Sequence, residues 1–345
     1  MTAQTDNINA GLRIGVIGGG SWGTVLADLL AAKGFAVDLW AFEPEVVEQI
    51  NAGHENRVFL PGVPLSSNLR ASNDLAAAAA AKDLLVVVVP CHVMREIATG
   101  LAGRLDARTP LVSASKGIEN RTHLTMTGVL KETLGIGDDR LAVLSGPSFA
   151  VEVARKLPTG VTVASRNPAL AQLVQQAFAT AYFRVYTSDD TIGVELGGSV
   201  KNVIAIAAGI LDGLHMGLNT RAALITRGMT EIRRLGKRMG ANPRTFTGLA
   251  GYGDLILTCT GDLSRNHAVG KKIAEGRKLS EILGEMRMVA EGVRSAQSVY
   301  HLSNQLEVEM PICHQTYRIL YEDLPPREAL YQLMTRDLKP ELDED

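Results

Sequence analysis

A glycine-rich turn near the start of the chain has the spacing of a dinucleotide-binding loop. Residues 12–17 form a short apolar segment that leads into Gly18, Gly20 and Gly23, and a helix-like pattern follows. In such a loop the first glycine permits a tight turn, the second lets a pyrophosphate approach the backbone, and the third lets the helix pack against the strand. The helix N-terminus adds N–H donors and a positive dipole. The segment predicts a dinucleotide site; a glycine turn without a ligand is the structural alternative.

A lysine and an asparagine stand together where a long apolar helical pattern begins in the second half. Gly197 and Gly198 precede Lys201 and Asn202. Each glycine costs about 1 kcal/mol relative to alanine inside a helix, so we expect close packing there, against another helix or a cofactor ring. A lysine at the edge of an apolar segment loses hydration, which lowers its pKa and suits acid–base catalysis. A lysine that extends to the surface is the alternative.

A second polar cluster follows the glycine-rich residues 248–253. This stretch predicts a loop that enters a helix with Asp254 near its first turn, where an aspartate is most often an N-cap. Ser264, Arg265 and Asn266 follow near another helix start. A guanidinium and an amide suit a phosphate and a hydroxyl group. The alternative is a solvated helix start without a ligand, which would have the same residues.

Further polar residues follow predicted strands of the first half. Lys116 comes after one strand, and Gly146 and Ser148 come after another. Ligands bind at the carboxyl ends of strands in an open α/β sheet, so we expect Lys116 and Ser148 to line one cleft. Cys91 and His92 follow a third strand without companions for nucleophilic catalysis, and we interpret them as loop packing.

Strand and helix patterns alternate in the first half and give way to helices alone. The predicted strands are 12–17, 36–40, 84–89, 111–114, 141–144, 160–164 and 182–186. The predicted helices after residue 195 are 198–214, 220–239, 264–276, 279–286, 292–305 and 311–322. Continuous apolar strands are typical of a parallel sheet covered on both faces. The pattern predicts an α/β Rossmann-like dinucleotide-binding domain, 11–195, then an all-α substrate domain, 196–338, with flexible tails 1–10 and 339–345.

Composition narrows the class of protein. The chain has 345 residues, 46% hydrophobic and 21% charged, as expected for a globular protein of two domains. A net charge of −2 argues against a dedicated nucleic-acid or acidic-membrane binder. Cys91, Cys259 and Cys313 lack metal or disulfide spacing, which fits a reducing cytoplasm and predicts no metal. We see no signal-peptide pattern and no apolar run of about 20 residues, so no membrane segment is predicted.

Taken together, the motifs resemble the bacterial branch of the NAD(P)-dependent glycerol-3-phosphate dehydrogenases. The resemblance runs from about residue 12 to about residue 335, in the family's order. It is carried by residues 18–23, 115–117, 145–148, 198–202, 251–259 and 264–266.

The resemblance implies hydride transfer between NAD(P) and a small phosphorylated substrate, with Lys201 as proton donor and acceptor and Asp254 as its catalytic partner. The residues implied to hold dihydroxyacetone phosphate or sn-glycerol 3-phosphate are Lys116, Gly146, Ser148, Lys201, Asn202, Asp254, Ser264, Arg265 and Asn266. The residues implied to contact the dinucleotide, besides Gly18, Gly20 and Gly23, are Ser21, Trp22, Phe42, Lys116, Ala150, Arg265, Val289 and Glu291. A cytoplasmic homodimer that supplies glycerophospholipid synthesis is also implied.

The end of the second strand leaves the choice between NAD and NADP open. Many relatives that use NADPH have a basic residue or histidine near the position of Phe42, which is aromatic here. Asp38 is expected within the strand rather than at its tip, although Glu43 is close. Arg57 could reach a 2′-phosphate. The resemblance slightly favours NADPH.

Two other functions fit the same architecture. A reductase of another small keto acid, of ketopantoate or 3-hydroxyacid type, also uses a lysine on the first helix of a helical domain; Arg265 and Asn266 argue instead for a phosphorylated substrate. A non-catalytic, redox-sensing dinucleotide binder would keep the glycine loop but could lose Lys201, Asn202 and Asp254, all of which are present.

Overall fold

A twisted sheet forms the centre of the first half of the chain. The computed structural model describes residues 11–286 and 288–341, and within them this sheet has eight strands. The strands are β1 (Arg13–Ile17), β2 (Ala36–Trp40), β3 (Leu69–Ser72), β4 (Leu84–Val87), β5 (Leu111–Ser113), β6 (Leu141–Ser145), β7 (Thr159–Ala164) and β8 (Phe183–Ser188). Their order is β3-β2-β1-β4-β5-β6-β7-β8.

The sheet has the strand order of a Rossmann fold with two added strands. β1 to β6 are mutually parallel, whereas β7 pairs antiparallel with β6 and parallel with β8. The chain leaves β1 first toward β2 and later toward β4, so a crevice opens between them at their carboxyl ends. Ligands bind at such a switch point.

Helices cover both faces of this sheet. They are α1 (Ser21–Ala32), α2 (Pro44–Gly53), α3 (Leu75–Ala79), α4 (Met94–Leu101), α5 (Met126–Leu134), α6 (Ala150–Ala154) and α7 (Pro168–Phe178). One apolar cluster joins α1 and α7 to one face, and a second joins α4 and α5 to the other. The central strands are buried on both sides, as their continuous apolar sequences predicted.

All seven predicted strands are present, and one strand was missed. β3 is a short edge strand in which Leu69 and Ala71 are buried and Arg70 is exposed. Only two apolar side chains alternate there, too few for a periodic signal.

The second half of the described chain is helical. Its helices are α8 (Thr191–Gly213), α9 (Gly217–Arg238), α10 (Asp254–Thr260), α11 (Arg265–Ala274), α12 (Leu279–Gly284), α13 (Glu291–Gln305), α14 (Pro311–Tyr321) and α15 (Pro326–Met334). α8 is the central helix, against which α9, α10, α11 and α13 pack. Its length and composition would suffice to span a membrane, but 94% of its most apolar window is buried inside the protein, as in a core helix. The short helix α15 was not predicted.

The predicted start of the long helix at residue 198 is wrong. The Asp190 side chain accepts a hydrogen bond from the Gly193 N–H, so α8 begins at Thr191 and Gly197 and Gly198 lie inside it. A Cβ at Gly197 would lie 2.3 Å from the Ala250 carbonyl oxygen, and one at Gly198 would lie 2.6 Å from Ser145 Oγ. The expected close packing is therefore present, with the turn Leu249–Gly253 on one side and β6 on the other.

The proposed domain limits stay a prediction. The limit at 195–196 falls within α8, which follows β8 directly. The predicted tail 1–10 lies outside the described residues, and so does 342–345 of the second tail. Within the described part of that tail, Lys339 Nζ lies 2.8 Å from Glu309 Oε2, and the Glu341 carbonyl accepts a hydrogen bond from Arg227.

Candidate active site

The glycine loop leaves an opening at the N-terminus of α1. Gly18 has φ of +128°, and a Cβ there would lie 2.3 Å from the Val88 carbonyl oxygen. A Cβ on Gly23 would lie 1.9 Å from the Gly18 carbonyl oxygen. Gly20 is the N-cap residue of α1, and a Cβ on it would meet nothing within 4 Å. Gly18 and Gly23 are thus required by the fold, whereas Gly20 leaves room for a pyrophosphate beside the helix N-terminus.

The first residues of α1 are fixed by contacts beyond the loop. Ser21 Oγ donates a hydrogen bond to the Phe59 carbonyl at 2.6 Å and lies 3.4 Å from Met288 Sδ. Trp22 is half-buried against the sheet core, with its ring centroid 6.4 Å from that of Phe183. These contacts bring the segment before α13 close to the glycine loop.

A buried carboxylate crosses from α13 to the end of β4. Glu291 accepts hydrogen bonds from the Cys91 backbone N–H at 3.3 Å and from Cys91 Sγ at 2.8 Å. Burial raises the pKa of Glu291 and also that of the Cys91 thiol. Val289 lies half-buried two residues before Glu291. Our interpretation of Cys91 as loop packing missed this bond to a predicted cofactor-contacting residue.

Two lysines share one buried carboxylate at the centre of the cleft. Asp254 is 1% exposed, and its Oδ1 lies 2.5 Å from Lys201 Nζ while its Oδ2 lies 2.6 Å from Lys116 Nζ. Lys201 Nζ also lies 2.6 Å from Thr258 Oγ1. Burial lowers the pKa of Lys201 to about 8, although the charge of Asp254 opposes that shift. The surface-lysine alternative is therefore excluded for Lys201.

The elements around this centre explain its geometry. Asp254 opens α10, directly after the turn Leu249–Gly253 that packs on Gly197 of α8. Thr258 lies four residues later, on the same face of α10. Lys201 projects from α8 and is 5% exposed. Sequence reasoning missed Thr258, although its spacing from Asp254 is a usable signal.

The end of β6 completes the same cleft. The Gly146 carbonyl accepts hydrogen bonds from Lys116 Nζ at 3.3 Å and from Ser148 Oγ at 3.0 Å. Gly146 has φ of +150°, and a Cβ there would lie 2.9 Å from Val161 Cα. Ala150 begins α6 and is half-buried against the sheet core. Lys116, Gly146 and Ser148 thus lie together at this edge of the sheet.

A pair of amides joins α8, α11 and α13. Asn266 Nδ2 donates to Asn202 Oδ1 at 3.0 Å, and Asn266 Oδ1 accepts from the Gly292 N–H at 2.9 Å. Both amide side chains are buried. The Asn202 amide N–H₂ has no acceptor among residues 11–286 and 288–341, so it can donate to a ligand.

Ser264 and Arg265, the N-cap and first residue of α11, have different environments. Ser264 Oγ is the N-cap and accepts from the His267 N–H at 3.2 Å. Arg265 is exposed, and its guanidinium makes no hydrogen bond to the part of the chain that the structure describes. Partial desolvation lowers the pKa of Arg265, and the charge of Glu291 opposes that shift. Arg265 is therefore available to an anion at a helix N-terminus.

The end of β2 bears on the choice of cofactor. Phe42 is 76% exposed, and its carbonyl and that of Ala41 accept hydrogen bonds from Asn73 Nδ2. Asp38 lies within β2, as expected, and pairs with the buried Lys82. It cannot therefore bind a ribose at the strand tip.

The two remaining charges near β2 lie close to α2. Arg57 is an exposed residue whose Nε lies 2.9 Å from Glu55 Oε2. Glu43 is the half-buried residue before α2.

Comparison with known proteins places the chain in one family. The model of the NAD-dependent glycerol-3-phosphate dehydrogenase N-terminus matches residues 13–171, and that of the C-terminus matches residues 190–331. The glycerol-3-phosphate dehydrogenase [NAD(P)+] of Syntrophobacter fumaroxidans is 56% identical over 331 residues, which cover 96% of this chain and 97% of the relative. Its counterpart in Geobacter metallireducens is 57% identical over 332 residues, 96% of this chain and 99% of the relative.

Solved structures agree with this assignment. The crystal structure of glycerol-3-phosphate dehydrogenase from Coxiella burnetii superposes with a TM-score of 0.91 at 41% identity, covering 95% of this chain and 100% of that one. A ketopantoate reductase from Ralstonia eutropha superposes with a TM-score of only 0.58 at 16% identity and shares the fold alone. The chain belongs to the NAD-dependent glycerol-3-phosphate dehydrogenase family.

Proposed function

We infer that the protein is an oxidoreductase that interconverts dihydroxyacetone phosphate and sn-glycerol 3-phosphate with NAD(P). The observation that carries this function is the buried Asp254 carboxylate between Lys201 and Lys116, at the carboxyl end of a Rossmann sheet. When bound, the nicotinamide cofactor supplies or accepts the hydride at the carbon that changes between ketone and alcohol. The residues of this chain supply the proton, the orientation and the anion site.

Lys201 is proposed as the proton donor and acceptor. An ammonium group has three N–H donors, and Asp254 and Thr258 engage two of them, which leaves one for the substrate oxygen. As negative charge builds on the ketone oxygen, that N–H stabilises it and donates the proton. In the opposite direction the neutral amine accepts the proton. A pKa of about 8 makes both forms of Lys201 accessible near neutral pH.

Arg265 is proposed as the phosphate-binding residue. Its guanidinium lies at the start of α11, where the helix dipole adds to its charge, and the described protein offers it no hydrogen bond. A guanidinium binds phosphate oxygens in a bidentate manner. Anchoring the phosphate fixes the distance from the carbonyl carbon to Lys201 and to the cofactor.

The remaining polar groups are proposed to orient the substrate hydroxyl and carbonyl groups. Asn202 has a free amide N–H₂, and Asn266 holds it in place from α11. Ser148 and the Gly146 carbonyl lie beside Lys116 on the opposite wall. Ser264 is proposed to act through its cap of α11, which positions Arg265 and Asn266.

The residues at the glycine loop fit a dinucleotide. Gly20 leaves the space, and the N-terminus of α1 supplies the N–H groups for the pyrophosphate. Ser21, Trp22, Phe42, Ala150, Val289 and Glu291 are proposed to contact the rest of the molecule. We propose a slight preference for NADPH, because Asp38 is engaged by Lys82, and Glu43, the other nearby carboxylate, lies beyond the strand as the N-cap residue of α2.

The cellular setting is also a proposal. The family resemblance supports a cytoplasmic homodimer that supplies the glycerol backbone of phospholipids. Sedimentation equilibrium of the purified protein tests the dimer.

The first experiment follows oxidation of NADPH and of NADH with dihydroxyacetone phosphate as substrate. Turnover with either cofactor supports the reaction, and the ratio of the two kcat/KM values tests the NADPH preference. Ketopantoate and unphosphorylated dihydroxyacetone are the matched substrate controls. Turnover of ketopantoate alone would replace the proposal with the other reductase class.

A further inference from the structure

Hydrogen bonds on each side of Lys116 hold its segment to two different parts of the molecule. Ser115 Oγ exchanges hydrogen bonds with the Val89 backbone after β4, at 2.9 Å and 2.7 Å. The Ile118 carbonyl accepts from Ser298 Oγ of α13 at 2.8 Å. Asn120 Nδ2 donates to Gln297 of the same helix. We call residues 115–120 the strap.

Between these anchors lies a glycine that has no side chain to hold it. Gly117 has φ of +147°, and a Cβ there would lie 2.5 Å from Cys91 Cβ, so the position requires glycine. Glycine is the residue with the greatest backbone freedom. Between the two anchors, the orientation of the Gly117 peptide groups therefore depends on hydrogen bonds rather than on a side chain, and a change there would shift Lys116.

Ser199 of α8 makes those hydrogen bonds. Its Oγ accepts a hydrogen bond from the Gly117 N–H at 2.9 Å and donates to the Glu195 carbonyl at 2.8 Å, with the Gly117 carbonyl also within 3.2 Å. Ser199 is 1% exposed, so water cannot replace the bond. The Lys116 stem passes beside the adjacent Gly198, where a Cβ would lie at van der Waals distance, 3.5 Å, from Lys116 Cδ.

We propose that Ser199 is a positioning residue that holds Lys116 on Asp254 through the backbone of Gly117. Helix α8 then positions both lysines of the centre: Lys201 directly, from two residues further along, and Lys116 through Ser199. Nothing in the Gly-Ser-Val-Lys-Asn motif as a sequence pattern assigns this role to the serine. The inference rests on the proposed function, since Lys116 matters here as part of the dehydrogenase site.

The test is a double-mutant cycle on kcat/KM for dihydroxyacetone phosphate. S199A leaves the Gly117 N–H buried without its partner, and the expected loss is roughly fivefold to tenfold, the worth of one buried hydrogen bond. S199C, which keeps a weak hydrogen-bonding group of similar size, should lose less. In a K116M background S199A should not lower kcat/KM any further, because the two residues act through the same contact.

S303A is the matched control. Ser303 is also a buried helix serine of this half, and its hydrogen bonds go to His314 Nε2 at 2.8 Å and to the Tyr300 carbonyl at 3.0 Å rather than to the strap. It should lower thermal stability about as much as S199A while leaving kcat/KM unchanged. Equal kinetics for S199A and S303A, or a full S199A loss in the K116M background, would overturn the inference.

Amide hydrogen exchange gives a readout that does not depend on turnover. Peptides covering residues 115–120 should exchange faster in S199A than in wild type and be unchanged in S303A. If wild type fails to reduce dihydroxyacetone phosphate, the proposed function fails, and exchange still decides whether Ser199 holds the strap. Unchanged exchange of these peptides in S199A would refute the positioning role of Ser199.

Discussion

The two ends of the cleft are formed by different kinds of group, main-chain atoms at one end and charged side chains at the other. At the dinucleotide end the main chain defines the site: Gly18 and Gly23 have no room for a Cβ, and Gly20 leaves a space at the start of a helix. At the reaction end three charged side chains define it, with Asp254 between Lys201 and Lys116. The first end is shaped by steric exclusion, and the second by electrostatics in a buried environment.

This difference predicts how each end responds to change. The main-chain N–H groups of the glycine loop do not titrate, so this loop should respond to added atoms and be indifferent to pH. A buried charge centre should respond strongly to loss of a charge, because each remaining charge is then left without compensation. Four experiments test the contrast, from the largest expected effect to the smallest.

The largest effect is expected from removing Lys201, the proposed proton donor. Lys201→Ala should lower kcat for ketone reduction by roughly 10²–10⁴-fold, the usual contribution of a positioned general acid. The KM for dihydroxyacetone phosphate should change far less. Stopped-flow or steady-state NADPH oxidation measures both constants.

Lys82→Met is the control for that variant. Lys82 is likewise buried and paired with an aspartate, Asp38 of β2, but lies two residues before β4 begins. It should reduce thermal stability and spare kcat. A Lys201→Ala enzyme with near wild-type kcat would remove Lys201 from the chemistry.

Arg265 should affect substrate affinity rather than the chemical step. Arg265→Ala should raise the KM for dihydroxyacetone phosphate by roughly 10- to 100-fold, because a hydrogen bond to a charged group contributes about 1.5–3 kcal/mol. Arg265→Lys keeps the charge but loses the bidentate geometry, so its KM should lie between those of the wild type and Arg265→Ala. Unphosphorylated dihydroxyacetone is the diagnostic substrate, because its slow reduction should be the same in all three proteins. An equal loss with both substrates would contradict a phosphate-binding role.

Two substitutions in the glycine loop distinguish an effect on dinucleotide binding from an effect on folding. Gly20→Ala adds a methyl group to open space, so thermal stability should be retained while dinucleotide affinity falls by about 2 kcal/mol, the size of one lost hydrogen bond to a charged group. Gly23→Ala would place its Cβ 1.9 Å from the Gly18 carbonyl oxygen and should destabilise the fold itself. Isothermal titration and thermal melts distinguish the two. Wild-type affinity in Gly20→Ala would mean that the pyrophosphate binds elsewhere.

The same contrast explains what the sequence could predict. The glycine loop and the apolar strands are local patterns, and from them the fold and the dinucleotide site were predicted. The contact of Asp254 with Lys116 was not, because the two residues lie 138 apart in the sequence and only tertiary packing joins them. The Cys91–Glu291 bond spans 200 residues and has no local signature either. The start of α8 was misplaced because glycines usually mark helix ends, whereas here tertiary packing requires them inside the helix.

The smallest expected effect is the response to pH, and it distinguishes the two ends most directly. Burial lowers the pKa of Lys201 to about 8, so ketone reduction, which needs the protonated lysine, should fall as pH rises through that value. Alcohol oxidation needs the neutral amine and should rise over the same range, each by about tenfold between one unit below and one unit above the pKa. Lys201→Arg, which stays protonated, should abolish the rise in oxidation. The dissociation constant of the dinucleotide should change far less from pH 7 to 9, because the main-chain N–H groups proposed to bind the pyrophosphate do not titrate. A parallel pH dependence of cofactor binding would show that the charged centre and the glycine loop are not independent.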